Sequence, residues 1–104
     1  MIKVSVLYPN EEGKKFDFDY YLNTHLPMVQ GLLESMGLVK GEAEKGVSAA
    51  DPSKPAPFIF VAHLFFETTE EVHAAFTTHG SQIMGDIKNF TDISPTFQIS
   101  EVLI

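Results

Sequence analysis

The sequence contains no cysteine. Disulfides, thiolate metal sites, iron–sulfur clusters and cysteine nucleophiles are thereby excluded together. It also contains no arginine: seven lysines stand against fourteen acidic residues, for a formal charge of −7. A nucleic-acid surface needs a basic stripe to neutralise phosphates, and none can be assembled from so few cations. Without arginine the planar two-pronged clamp is also missing, which argues against a substrate carrying phosphate or several carboxylates. A neutral or weakly anionic apolar small molecule fits better. Long hydrophobic runs are absent too. The longest apolar stretch, Phe58 to Phe66, is interrupted by His63 and falls far short of the ~20 residues that a membrane-spanning helix needs. No membrane partner is expected. The first residues alternate as Ile2, Lys3, Val4, Ser5, Val6, without the basic start and apolar core of a secretory signal, so the expected location is cytoplasmic. No serine sits in a nucleophile elbow and no glycine-rich loop could cradle phosphate, which sets aside covalent serine catalysis and nucleotide binding.

What is present is enough for one domain over residues 1–104, since 44% of the side chains are apolar and a second core has nowhere to go. Met1 to Tyr8 alternates and reads as a strand with Ile2, Val4, Val6 and Tyr8 on one face, closed by the polar cluster Pro9 to Gly13. From Asp17 to Met36 the period changes: Phe18, Tyr21, Leu22, His25, Val29, Leu32, Leu33 and Met36 recur at three and four residues, one stripe of a helix that Gly37 closes. Leu38 to Gly46 is extended but polar, the composition of an edge strand protected by charge. Ser48 to Pro57, with three prolines, is a loop.

Phe58 to Glu67 reads as a strand that is apolar on both faces. Phe58, Phe60, Ala62, Leu64 and Phe66 share one side; Ile59, Val61, His63 and Phe65 share the other. Thr68 with Glu71 matches a capping box opening a second helix, whose inner stripe is Val72, Ala75, Phe76, His79 and Ile83 and which Gly80-Ser81 is expected to break. Gly85 to Ser94 reads as a loop in which Asp86, Asn89 and Asp92 form turns. Thr96 to Leu103 is the last strand. The order strand, helix, strand, strand, helix, strand is that of an α+β, ferredoxin-like βαββαβ fold: a four-stranded antiparallel sheet with two helices on one face. The other face of the Phe58–Glu67 strand would then be wet in a lone chain. At roughly 25 cal/mol per Å² of apolar area, covering it is favoured, and a two-fold homodimer with Ile59, Val61, His63 and Phe65 at the interface is the simplest cover.

The first helix breaks a local rule. Pro27 near its middle removes one hydrogen bond and pushes against the carbonyl of Asn23, so a kink or break is expected there. His25, two residues earlier, lies on the stripe that faces the sheet. A titratable ring at a helix irregularity, aimed into an aromatic interior, is a candidate for perturbed chemistry. The plainer reading is a core histidine bonded to a backbone carbonyl that Pro27 frees.

These residues carry a resemblance. The run Phe16 to Met28, with its aromatics and its His25-Leu26-Pro27 step, together with His63 to Phe66 and Ile83 to Ile93 leading into Pro95 and Gln98 to Val102, is similar to the EthD (ethyl tert-butyl ether degradation) family. The resemblance covers nearly the whole chain. It implies a dimeric α+β barrel with a ligand pocket between each sheet and its own helices, in a superfamily of isomerases, cofactorless monooxygenases, polyketide cyclases and some haem enzymes. It implies an ether-degradation or secondary-metabolism context, in which one relative serves a cytochrome P450 system. Fold does not fix chemistry in so varied a group.

Candidate catalytic residues are therefore His25 as general acid or base, Tyr21 one turn earlier as orienter or proton donor, and His79 as a second histidine that could meet His25 across the pocket. The plain alternatives are a core tyrosine and a helix-end histidine. Tyr8, Phe60, Phe66, Phe76 and Phe97 are first of all core, and second an aromatic lining for an apolar ligand. His63 points to the opposite face and His73 outward. No metal site is expected, because no two histidines have ligand spacing beside a carboxylate cluster, and no cofactor is called for; haem ranks last without tryptophan or arginine. The leading expectation is cofactor-independent acid/base chemistry, such as isomerisation, cyclisation or dehydration, on an apolar or aromatic substrate. A cofactor-free oxygenase and a non-catalytic ligand-binding accessory to an oxidative enzyme are the alternatives.

Overall fold

A computed structural model describes residues 1–104. Alternation along β1 (Ile2–Pro9) places Val4, Val6 and Tyr8 on the buried side. Its partner β3 (Phe58–Phe66) alternates in register: Val4 lies opposite Leu64, Val6 opposite Ala62 and Tyr8 opposite Phe60, so the two inner rows face the same way. The polar strand β2 (Lys40–Lys45) pairs antiparallel with β3, and β4 (Thr96–Glu101) pairs antiparallel with β1. The sheet order is β2-β3-β1-β4. Charged β2 is thus an edge strand, as its composition predicts.

The expected first helix is present, and the kink or break expected at Pro27 takes the form of a π turn rather than an interruption. Short α1 (Phe18–Tyr20) runs through a π turn over Tyr21–His25 into α2 (Leu26–Leu33) and ends in a 3₁₀ turn, Glu34–Met36. Tyr20, Tyr21, His25 and Leu26 all keep right-handed helical dihedrals. Pro27 is accommodated because the turn before it is widened: the Leu26 N–H donates to the Tyr21 carbonyl, five residues back rather than four. Inserting one residue into the turn relieves the proline without opening the rod. It also turns Leu22 out to solvent, 48% exposed, against its expected place on the stripe, while Tyr21 and His25 both stay buried. Gly37 stops the helix with a left-handed φ of 100°.

Helix α3 (Thr69–Gly85) starts at the capping box read from the sequence, with Thr68 and Glu71 bonded reciprocally. It is not broken at Gly80-Ser81. Gly80 is buried and stays helical, since one interior glycine costs only about 1 kcal/mol against alanine and tertiary packing outweighs that. Beyond α3 the expected loop holds a 3₁₀ turn, Ile87–Asn89, and a lone bridge between Phe16 and Thr91.

Both helical layers lie on one face of the sheet, and the core between them centres on Val4, Tyr8, Leu33, Phe66, Val72 and Phe90. Leu33 and Phe66 are wholly buried, each stabilising the fold by about 1.5–3 kcal/mol. The opposite face carries Ile59, Val61, His63 and Phe65, all half-buried in the single chain. There Ser5 Oγ and His63 Nδ1 form a 3.2 Å hydrogen bond, and His63 Nε2 lies 3.5 Å from Glu44 Oε1. No helix is long and apolar enough to cross a membrane.

Candidate active site

His25 projects from the π turn into the space between helices and sheet and is only 4% exposed. A buried imidazole needs partners, and it finds one 61 residues away: Nδ1 lies 2.9 Å from Asp86 Oδ2. Asp86 follows α3, and its other oxygen accepts from the Tyr20 hydroxyl at 2.8 Å and from the Asn89 side-chain amide at 2.9 Å. Burial alone would raise the Asp86 pKa. Hydrogen bonds from Asn89, His25 and Tyr20, with the charge of His25, outweigh it and hold the carboxyl below its ordinary value. Asp86 is therefore ionised at neutral pH and can only accept. Nδ1 must then carry the proton, which leaves the lone pair of neutral His25 on Nε2. The same contact pushes the Tyr20 hydroxyl pKa up, because losing its proton would forfeit the hydrogen bond it donates to Asp86; partial burial and the neighbouring carboxylate charge add to this.

The imidazole is clamped by aromatic rings, with centroid distances of 5.1 Å to Tyr21 and 4.7 Å to Phe90. Tyr21 in turn packs on Phe60 at 4.5 Å, and Phe60 stacks on Phe16 at 4.7 Å. Such packing fixes the ring in place.

Nε2 has no partner within the chain, yet no buried side-chain nitrogen or oxygen is left unpaired. It therefore opens to a cavity of about 30 Å³, lined by His25 and eleven apolar or aromatic residues. Tyr8 and Tyr21 line the same cavity. Burial pushes the phenol pKa of both above the ordinary value of 10, for Tyr8 with a further contribution from nearby Tyr21. Both hydroxyls stay protonated near neutrality and can only be donors to an anion. The cavity thus brings together a base nitrogen and two phenolic donors within apolar walls. That combination can remove a proton from carbon and hold the resulting oxyanion.

Of the residues expected from sequence, Tyr8, Tyr21, His25, Phe76 and Phe97 line the cavity together. His79 does not, although it lies on the half-buried side of α3. The geometry replaces the two-histidine relay with a histidine–carboxylate pair, because the C-terminal end of α3, not the turn holding His79, meets the π turn. Phe60 and Phe66 are also off the lining, Phe60 as a support for Tyr21 and Phe66 wholly within the core. His25 is bonded to a carboxylate, not to a carbonyl freed by Pro27. Asp86 is the residue that sequence reading missed: it looked like a turn-former beside Asn89 and Asp92. Asp92 likewise bonds across the fold rather than within a turn, accepting from the Lys15 N–H at 2.9 Å. The signal available was indirect: an inward histidine requires a polar partner, and the Gly85–Ser94 segment carries a carboxylate, Asp86, that can supply it. No three His, Cys, Asp or Glu side chains converge closely enough to hold a metal ion.

A four-stranded antiparallel sheet backed by two helices, with a buried histidine at a helix irregularity, defines a ferredoxin-like α+β protein. Within that class the chain belongs to the EthD family: the EthD domain matches residues 11–94. An EthD-like protein from Ralstonia eutropha JMP134 is 40% identical with a TM-score of 0.93, over 99% of this chain and 92% of that one. An ethyl tert-butyl ether degradation family protein from Bacillus halodurans C-125 is 20% identical with a TM-score of 0.71, over 99% of both chains. SnoaB, a cofactor-independent oxygenase from Streptomyces nogalater, shares the fold at 7% identity and a TM-score of 0.63, over 99% of this chain and 92% of that one. No curated protein matches the sequence.

Proposed function

We propose that the cavity at His25 carries out cofactor-independent proton transfer on an apolar or aromatic small molecule with an enolisable carbonyl. The observation that carries this reading is the Asp86–His25 pair with Nε2 turned into the cavity. His25 Nε2 takes the proton from the carbon next to the carbonyl, and the electron pair moves onto the carbonyl oxygen. Tyr8 and Tyr21 donate to that enolate oxygen, while Asp86 stabilises the imidazolium that forms. Return of the proton to a different carbon completes an isomerisation; attack of the enolate on a second carbonyl in the same molecule gives a cyclisation. The test is solvent-deuterium wash-in to a panel of aryl 1,3-diketones and unsaturated lactones, followed by NMR. Exchange faster than buffer, lost in His25→Gln and slowed in Tyr21→Phe, is expected. Wild-type exchange at the buffer rate, or full exchange in His25→Gln, refutes it.

An apolar cavity around a basic nitrogen also suits a carbanion that reacts with dioxygen, and oxygen uptake coupled to substrate loss would identify that alternative. Saturable binding with neither exchange nor uptake would mark a ligand-binding accessory protein.

The helix-free face supports a homodimer. Ile59, Val61 and Phe65 lie there half-buried around the Ser5–His63 hydrogen bond, and a second copy of the same face would remove them from water. Light scattering on wild type and Val61→Lys tests this: a dimer that becomes a monomer is expected, whereas a monomeric wild type excludes the arrangement.

A further inference from the structure

The cavity at His25, at about 30 Å³, holds a water or two and no organic substrate. Three of its walls, Phe76, Met84 and Phe97, are shared with a second depression on the outside, between α3 and β4. That groove measures about 180 Å³, and His73 is the one non-apolar residue in its lining. Val4 and Val72 form its floor and Ile99 its outer wall. Met84 and Phe97 are 40% and 42% exposed, so neither is locked by packing, and an unbranched thioether side chain repacks readily. Together with Phe76 they stand between the cavity that His25 lines and the groove.

We infer that cavity and groove are two halves of one binding site, for a ligand with a ring bearing a hydroxyl or enolisable carbonyl and an unbranched aliphatic tail. The ring displaces Met84 and Phe97 to reach His25, and the tail lies along Val4, Val72 and Ile99. Continuity through the shared walls selects this occupant. A groove lined almost wholly by apolar side chains offers nothing to a charged or sugar-like substituent, and its other end leads to Nε2. The inference rests on the proton-transfer reading of the same site and adds to it the class of substrate.

The test is isothermal titration of the whole chain with 4-ethyl-, 4-butyl- and 4-hexylphenol. Affinity is expected to rise about fourfold per added methylene buried. In Ile99→Glu, a change at an exposed strand position, the rise should fall below about twofold per methylene as the tail meets a carboxylate. Tyr21→Phe, which removes only a hydroxyl, should weaken every member about equally without changing the slope. An affinity independent of chain length overturns the bipartite site while leaving the His25 reading standing if Tyr21→Phe still weakens binding. A steep series unaffected by Tyr21→Phe keeps the groove and removes the polar head site. Absence of binding for all three phenols overturns both. If Ile99→Glu instead splits an oligomer in light scattering, a second copy occupies the groove and the inference is overturned.

Discussion

Replacing Asp86 by asparagine changes few atoms and much chemistry. The carboxylate accepts from His25 Nδ1, the Tyr20 hydroxyl and the Asn89 amide. An amide has one oxygen and can serve only one side. If that oxygen keeps Tyr20 and Asn89, the NH₂ group faces His25 and must donate to Nδ1. The proton of neutral His25 then moves to Nε2, and the cavity meets a donor where it had a base. A hydrogen bond to a charged group contributes about 1.5–3 kcal/mol. With the Asp86 side chain 18% exposed, water compensates part of the loss, and we expect about 1–2 kcal/mol of destabilisation, a fall in Tm of roughly 5–15 °C. The acid side should change as well. Because the folded-state pKa of Asp86 is below its ordinary 3.8, its contribution is fully present above that value and is lost as pH falls through the depressed one. Asp86→Asn should lose less stability than wild type between neutrality and that acid range. The assays are thermal unfolding against pH and the ring ¹⁵N shifts of His25, which report the protonated nitrogen. A wild-type His25 protonated on Nε2, or an unchanged tautomer in Asp86→Asn, refutes the reasoning.

Other perturbations test the scaffold. Thr68→Ala removes the side chain that accepts from the Glu71 N–H and should cost about 1 kcal/mol, measured by urea unfolding. Gly31→Ala should stabilise by up to about 1 kcal/mol, because Gly31 lies inside α2 and a Cβ there meets nothing within 4 Å; a lower Tm would contradict this. Gly46→Ala should destabilise by more than about 1 kcal/mol, since its Cβ would overlap the Phe58 carbonyl oxygen and the Ala56 Cβ where the chain leaves β2. Urea midpoints equal to wild type would show that the strand end yields.

Local pattern determined a good deal of this molecule. The two faces of Phe58–Phe66 follow from a period of two, the start of α3 from Thr68 and Glu71, and the end of the first helix from Gly37, which alone tolerates φ 100° there at no cost. The inward direction of His25 followed from helical spacing to Tyr21 and Val29. Each of these depends on residues within a few positions of one another, where stereochemistry is decided by the chain itself. The tertiary structure decided what those residues meet. Pro27 signalled an irregularity, but only the assembled rod shows a π turn in place of a break, because helical hydrogen bonding and packing on the sheet are both kept. Gly80 signalled a stop that packing overrode. Tyr8, Tyr21 and His25 line one cavity, His79 lies outside it, and Asp86 reaches His25 from 61 positions away. No period or spacing encodes that last contact. It exists because the end of α3 packs against the π turn, and there the hydrogen bond to the carboxylate satisfies two side chains that would each be costly to leave unpartnered.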